Sequence, residues 1–196
     1  VQEQTLYKKW MEFNADVYSM TQKATHFSKI EKSIWTPKDI NNKEQTIKEI
    51  EALEPYVEMT EQGNSEQNEV WTLVRRLIHT MEFTANPGRN VKFYAKDKVT
   101  GKILGIICLG SDVTSLGARD NFIGWTKDNK FKDGKLKHTS IGTTICCAQP
   151  LGFNFLGGKL VASLVTSSVV RDAWKKTYGQ TLVGASTTSL YGIHSM

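Results

Sequence analysis

The chain lacks most of the features that mark specialised protein classes. It has three cysteines, Cys108 and the adjacent Cys146 and Cys147, which give neither a disulfide framework nor zinc-ligand spacing. All three stand in apolar runs, where buried free thiols are expected, and a reducing compartment suits them. With 4 prolines and 15 glycines, collagen-like structure and wholesale disorder are excluded. No apolar run approaches the ~18 residues that a membrane-spanning helix needs. The start, Val1 to Trp10, has no apolar signal region and no initiator Met, so the expectation is a processed or trimmed cytoplasmic chain. The four histidines, His26, His79, His138 and His194, show neither H-x-x-x-H nor E-x-x-H spacing, and no G-x-S-x-G elbow exists. Histidine metal sites, hydrolase triads and zinc deaminases are therefore set aside, and no metal is expected.

What is present is an ordinary globular composition, 39% hydrophobic and 23% charged over 196 residues. The net charge of +5 conceals a division. Residues 1–70 carry 8 Lys and no Arg against 13 acidic residues, a net of −5. The remainder carries 17 Lys and Arg against 7 acidic residues, a net of +10. An acidic front and a basic back part point to a phosphate-bearing partner for the latter, with a plain solubility charge as the alternative.

The first eighty-odd residues read as helices. Leu6, Trp10, Phe13 and Val17 share one helical face. Thr36-Pro37-Lys38-Asp39 predicts a helix start, with the helix running through Ile40, Ile47, Ile50 and Leu53 and stopping before Pro55. Ser65 is placed to cap a third helix, whose stripe is Val70, Leu73, Val74, Leu77, Ile78 and Met81; His79 lies beside it as a packed core-edge residue. After the turn Asn86-Pro87-Gly88-Arg89-Asn90 the period becomes two. Val91, Phe93 and Ala95 predict a strand, Asp97 to Gly101 a hairpin loop, and Ile103 to Leu109 a central strand. A polar stretch, Gly110 to Ser140, precedes a strand at Gly142–Gln149, a helix over 156–178 closed by Gly179, and a strand at Leu182–Ser189. The division expected is a helical region over 1–85 and an α/β domain over 86–196.

Candidate chemistry lies at three places. Between the third strand and the last helix, Leu156-Gly157-Gly158-Lys159 opens a helix whose free N–H groups and dipole suit an anion, although neither the Walker pattern nor the Rossmann fingerprint is present. Tight helix packing explains such a glycine pair equally well. Arg119 and Asp120, near Trp125, could clamp and orient a phosphate, with Asp120 as a base and Trp125 as a stacking face; the alternative is an internal ion pair that pins the loop. Lys127, Lys130, Lys132, Lys135 and Lys137, with Phe131 and Trp125, form a basic run with aromatic interleaving, as in phosphate-tracking patches, or else a solvated lysine loop. Ser186 to Gly192 places hydroxyls at a strand end expected to face the glycine turn, with Tyr191 a candidate general acid.

The order β-β-β-α-β over about residues 90–190 resembles that of the GNAT acyltransferase superfamily. In that superfamily the turn after the fourth strand holds the pyrophosphate of acyl-coenzyme A through backbone amides. Only the loop's position carries over here, since the Q/R-x-x-G-x-G/A run is not intact. A second resemblance is closer in sequence. Gly117-Ala118-Arg119-Asp120-Asn121-Phe122-Ile123-Gly124-Trp125 looks like the ARD-x-x-IGW segment of the Druantia anti-phage protein A family. The basic stretch, the strand ending at Pro150, the long helix with Trp174 and the Tyr178-Gly179 pair follow in the same order, over roughly residues 91–192.

Together these readings predict an α+β fold: a GNAT-like mixed sheet with a packed C-terminal helix behind an N-terminal helical region. The functional expectation is a phage-related, nucleic-acid-associated protein that transfers an acyl-type group to DNA bases. Leu156, Gly157, Gly158 and Lys159 would hold acyl-coenzyme A or another nucleotide-linked donor, and Arg119, Asp120 and Tyr191 would face the acceptor. Trp125 and the five lysines would contact nucleic acid. The alternative is a non-catalytic DNA- or protein-binding module for counter-defence or host takeover, with a protein partner on the acidic helices. No membrane association is expected.

Overall fold

A computed structural model describes residues 30, 32–78, 88–148 and 158–187. The chain forms helix α1 (Lys43–Glu51), strand β1 (Pro55–Met59), helix α2 (Ser65–Ile78), and strands β2 (Asn90–Asp97) and β3 (Ile103–Ser111). Short helices α3 (Gly117–Ile123) and α4 (Lys127–Phe131) and a 3-10 turn (Lys135–His138) lead into β4 (Thr139–Cys147). Helix α5 (Gly158–Ser163), a second 3-10 turn, helix α6 (Ser168–Tyr178) and strand β5 (Gly184–Thr187) follow.

The five strands make one mixed sheet in the order β1-β2-β3-β4-β5. The first four pair antiparallel, while β4 and β5 are parallel, Ser140 standing opposite Ala185. A parallel pair needs a crossover, and α5 and α6 supply it. Strand β3, apolar up to its last residue Ser111, is central and buried along nearly its full length, as its composition predicts. Its hairpin with β2 is closed by Asp97, whose buried carboxylate accepts from the N–H groups of Glu54 and Thr100 and from the Thr100 hydroxyl. Gly101 takes the positive φ of 71° that the turn requires.

Helices cover both faces. On one, Val161, Val165, Val170 and Trp174 pack on Phe93, Ile107 and Leu109. On the other, Trp71 and Val74 pack on Tyr94, Ile106, Cys108 and Cys146. Trp71 Nε1 donates to Phe93 O at 3.1 Å and Tyr94 Oη to Gln67 O at 2.6 Å, so both aromatics are satisfied where they are buried. Gly105 permits close approach: a Cβ there would lie 2.7 Å from Cys146 O and 2.8 Å from a Val161 methyl. This contact fixes α5 at the end of the sheet where β4 finishes.

Several expectations change. The first eighty residues are not all helical, because Pro55–Met59 forms the edge strand of the same sheet. Helix α1 starts at Lys43, capped by Asn42, and not at Pro37. Asp39 Oδ1 accepts from Asn41 N at 2.9 Å, a local turn that competes with helix at the expected start. Asn64, and not Ser65, caps α2, its side chain accepting from Gln67 N. The helix expected over 156–178 is broken at Ser167, whose ψ of 154° is extended. Before the break, the hydroxyls of Ser163 and Thr166 bond back to the carbonyls of Leu160 and Ser163. The stretch from Gly110 to Ser140 carries two short helices. The helix expected at Leu6 to Val17, and His79 and Met81, lie outside the described residues.

Candidate nucleic-acid interface

At the end of the sheet where β3 finishes and β4 and β5 begin, a charged network joins four elements. Helix α3 closes at Gly124, whose φ of 75° reverses the chain so that Trp125 N donates to Asp120 O at 2.8 Å. The reversal sets the Trp125 ring 5.3 Å from the Arg119 guanidinium. Thr126 then caps α4 through a reciprocal box with Asn129, and α4 delivers Lys130 back towards α3. Arg119 Nε and Nη2 donate to Asp120 Oδ1 at 2.9 and 2.7 Å, and Lys130 Nζ donates to Asp120 Oδ2 at 2.5 Å. Arg119 Nη1 donates to Val113 O and forms an ion pair with Asp112 Oδ2 at 2.8 Å. Asp112 Oδ1 accepts from Val113 N and from Ser186 Oγ on β5 at 2.9 and 2.8 Å.

The four charged side chains alternate in sign and are almost entirely buried, that of Asp112 completely. The Lys130 ammonium chiefly, then Arg119 and the Leu116 N–H, hold the Asp120 carboxyl down at about 2 against the opposing effect of burial. Burial lowers the Arg119 pKa, but Asp120 and Asp112 outweigh it and the net direction is up. At neutral pH Asp120 is ionised with both oxygens occupied, so it is a poor base and an effective clamp. The ARD-x-x-IGW segment thus pins a loop.

Beside this network is a cleft of about 210 Å³. Lys130 and Asp112 line it where they meet the network, and Arg89, Ser111, Phe131, Leu136, Lys137 and Thr139 form the rest. Gly88, with φ 95°, turns the chain so that Arg89 N donates to Ser111 Oγ at 2.9 Å. Arg89 lies 5.7 Å from the Trp174 ring and 5.1 Å from the Tyr178 ring, and its Nη1 donates to Lys137 O at 2.8 Å. The guanidinium is therefore fixed in direction before any ligand arrives.

The expected site residues fall into two groups. Lys127, Lys132, Lys135 and Lys137 are exposed along α4 and the 3-10 turn, Lys132 pairing with Asp128 at 3.0 Å on the surface. Lys130 is not among the exposed cations; it is buried on Asp120. Gly158 and Lys159 are exposed at the start of α5, at the opposite end of β4. Nine strand residues at ~3.3 Å each separate the two ends by roughly 27 Å. The structure therefore does not bring Arg119 and Asp120 to the donor loop. Leu156, Gly157 and Tyr191 lie outside the described residues, and Ser186 turns its hydroxyl to Asp112, away from the glycine turn. Sequence reasoning missed Arg89 and Asp112; the only signal for either was its position beside a turn or a strand end. The thiols are inert: burial pushes Cys146 up to about 12, Cys147 up to about 11, and Cys108 upward. Among the described residues no group of His, Cys, Asp and Glu could hold a metal ion, and no helix is long and apolar enough to cross a membrane.

No solved structure matches the chain. A curated relative from Escherichia coli (strain UMEA 4076-1), described as Druantia protein DruA, is 29% identical over 130 residues. The match covers 66% of this chain and 31% of that relative, so the chain spans about a third of the relative's length. The family model of the same description matches residues 12–191, nearly the full sequence and including the segment that builds the buried network. The chain belongs to the Druantia protein DruA family.

Proposed function

We propose that this chain is a DNA-binding domain within an anti-phage defence protein, and that the α4 end of the sheet is its contact surface. One observation carries the reading. The acidic residues Asp112 and Asp120 are neutralised internally by Arg119 and Lys130, so the outward charge of this end is set by what remains. Lys127, Lys132, Lys135 and Lys137 are exposed in one run with only Asp128 and Asp133 among them, and Lys137 and the half-buried Arg89 line the cleft. Cations spaced along a rigid, capped helix and turn suit a row of phosphates. The test is fluorescence anisotropy of a labelled duplex over a range of salt. Affinity should fall with a slope of about 0.9 log units per phosphate contact. Replacing Lys132, Lys135 and Lys137 together with Ala should flatten that slope by two or more units. Absence of binding in dilute buffer would refute the reading.

A second reading, transfer of an acyl-type group from acyl-coenzyme A or a similar donor to a DNA base, is favoured by one feature. The parallel neighbours β4 and β5 are joined by a crossover that enters α5 at Gly158, with Lys159 exposed beside it. In this reading the donor sits at the α5 end, and Arg119 and Asp120 shape a distant DNA surface without facing the acceptor. Calorimetry with acetyl-coenzyme A tests it; no heat at millimolar ligand would leave the binding domain alone.

A further inference from the structure

We infer that the cleft beside α4 takes one unpaired nucleotide of a DNA strand, its base on Phe131 and its phosphate on Arg89 and Lys137. The inference rests on the DNA-binding reading and adds to it the form of DNA recognised. Phe131 ends α4 and is 50% exposed on the wall of a cleft whose other members are mostly polar. A half-exposed phenyl ring beside cations is what a base needs, since every base has a face to stack and a phosphate one bond system away. Leu136 continues the apolar side of the same cleft, and the hydroxyls of Ser111 and Thr139 offer polar contacts to a sugar or base edge.

The phosphate side is prepared in advance. Two aromatic rings and the Lys137 carbonyl hold Arg89, and its Nε and Nη2 have no hydrogen-bond partner among the described residues. Lys137 sits on the same cleft with an exposed side chain. The carboxylate in the lining, Asp112, does not repel an anion, because the Arg119 guanidinium 2.8 Å from its Oδ2 balances its charge while Val113 N and Ser186 occupy Oδ1. At about 210 Å³ the cleft is below the roughly 300 Å³ where sites for larger organic ligands begin, which suits a single base better than a dinucleotide cofactor. A paired base cannot reach Phe131 without leaving its stack, so duplex DNA meets the cations of this end without using the phenyl ring.

The experiment compares a single-stranded oligonucleotide carrying 2-aminopurine with its duplex, using the same protein preparation. Wild type should bind the single strand at least tenfold more tightly, with a change in 2-aminopurine emission on saturation. Phe131→Ala should lose that preference and the emission change, by about tenfold or more in single-strand affinity, while duplex affinity and its salt slope stay unchanged. Phe131→Tyr should restore both, which separates stacking from any effect on folding. Equal affinity of wild type for the two forms overturns this inference and leaves the DNA-binding domain standing, as does an unchanged Phe131→Ala variant. Failure of wild type to bind either form overturns both.

Discussion

At the start of β4 the structure is held by charge: four alternating ionic side chains, drawn from the residue after β3 and from α3 and α4 and tied to β5 through Ser186, are buried beside a cleft. At its far end the structure is held by shape, with Val161 of α5 resting where Gly105 leaves no side chain. Buried ion pairs stabilise little relative to apolar packing, yet removing one member leaves another uncompensated. A glycine contact tolerates nothing larger but carries no directional information. A charge network needs particular residues at particular positions, whereas close packing needs only an absence.

Arg119→Ala should separate the two ends most sharply. It leaves Asp112, whose side chain is fully buried, without its counterion, and should cost about 3–5 kcal/mol in urea denaturation. A loss below ~1 kcal/mol would mean that the network is dispensable. Next comes Gly105→Ala, whose methyl meets the Cys146 carbonyl and Val161; an overpacking cost of about 1–3 kcal/mol is expected. Its control is Gly158→Ala, where an added Cβ meets nothing within 4 Å among the described residues beyond its own helix and chain neighbours, and stability should stay within about 0.5 kcal/mol. Loss of a nucleotide ligand in that variant would then report on the ligand and not on folding.

Acid should act on the charged end and also on the β2–β3 turn, where burial raises the Asp97 carboxyl but hydrogen bonds from Thr100 and Glu54 outweigh it and hold it below its usual range. The Asp120 carboxyl falls from 3.8 to about 2 on folding, so the stability it provides is complete above pH 4 and is lost as the pH drops from 4 towards 2. Asp120→Asn should remove that part of the acid transition, measured as the denaturation midpoint across this window. An unchanged profile would show that other carboxylates dominate acid unfolding. The smallest effect belongs to Lys132→Ala. Its pair with Asp128 is fully on the surface, and stability should move by less than about 0.5 kcal/mol. A larger change would mean that the exposed lysines also serve the fold.

Much of the sheet was legible before the structure. The alternation of Val91, Phe93 and Ala95 and the unbroken apolar run of β3 specify the hairpin, because burial on one face or two writes a period into the chain. Gly101 and Gly179 mark their turns by the conformation only glycine adopts freely. Strand β1 was not legible: four half-buried residues around a buried Val57, beginning with proline, carry too short a pattern, and only pairing with β2 makes them a strand. The pairing of Arg119 with Asp120 was readable as an alternative, being adjacent in sequence. Asp112, Lys130 and Ser186 were not readable as its partners, since the distances that unite them arise from strand order and not from spacing along the chain.

The cysteines divide the sheet in a way that can be timed. Cys108 and Cys146 face α2, while their neighbour Cys147 faces α5 and α6. Because burial keeps all three protonated, a thiol reagent can modify them only during transient opening of the fold. The order of alkylation, followed by peptide mass spectrometry, would therefore act as a clock for which helical layer lifts first. The adjacent pair 146 and 147 supplies the two hands of that clock within a single peptide.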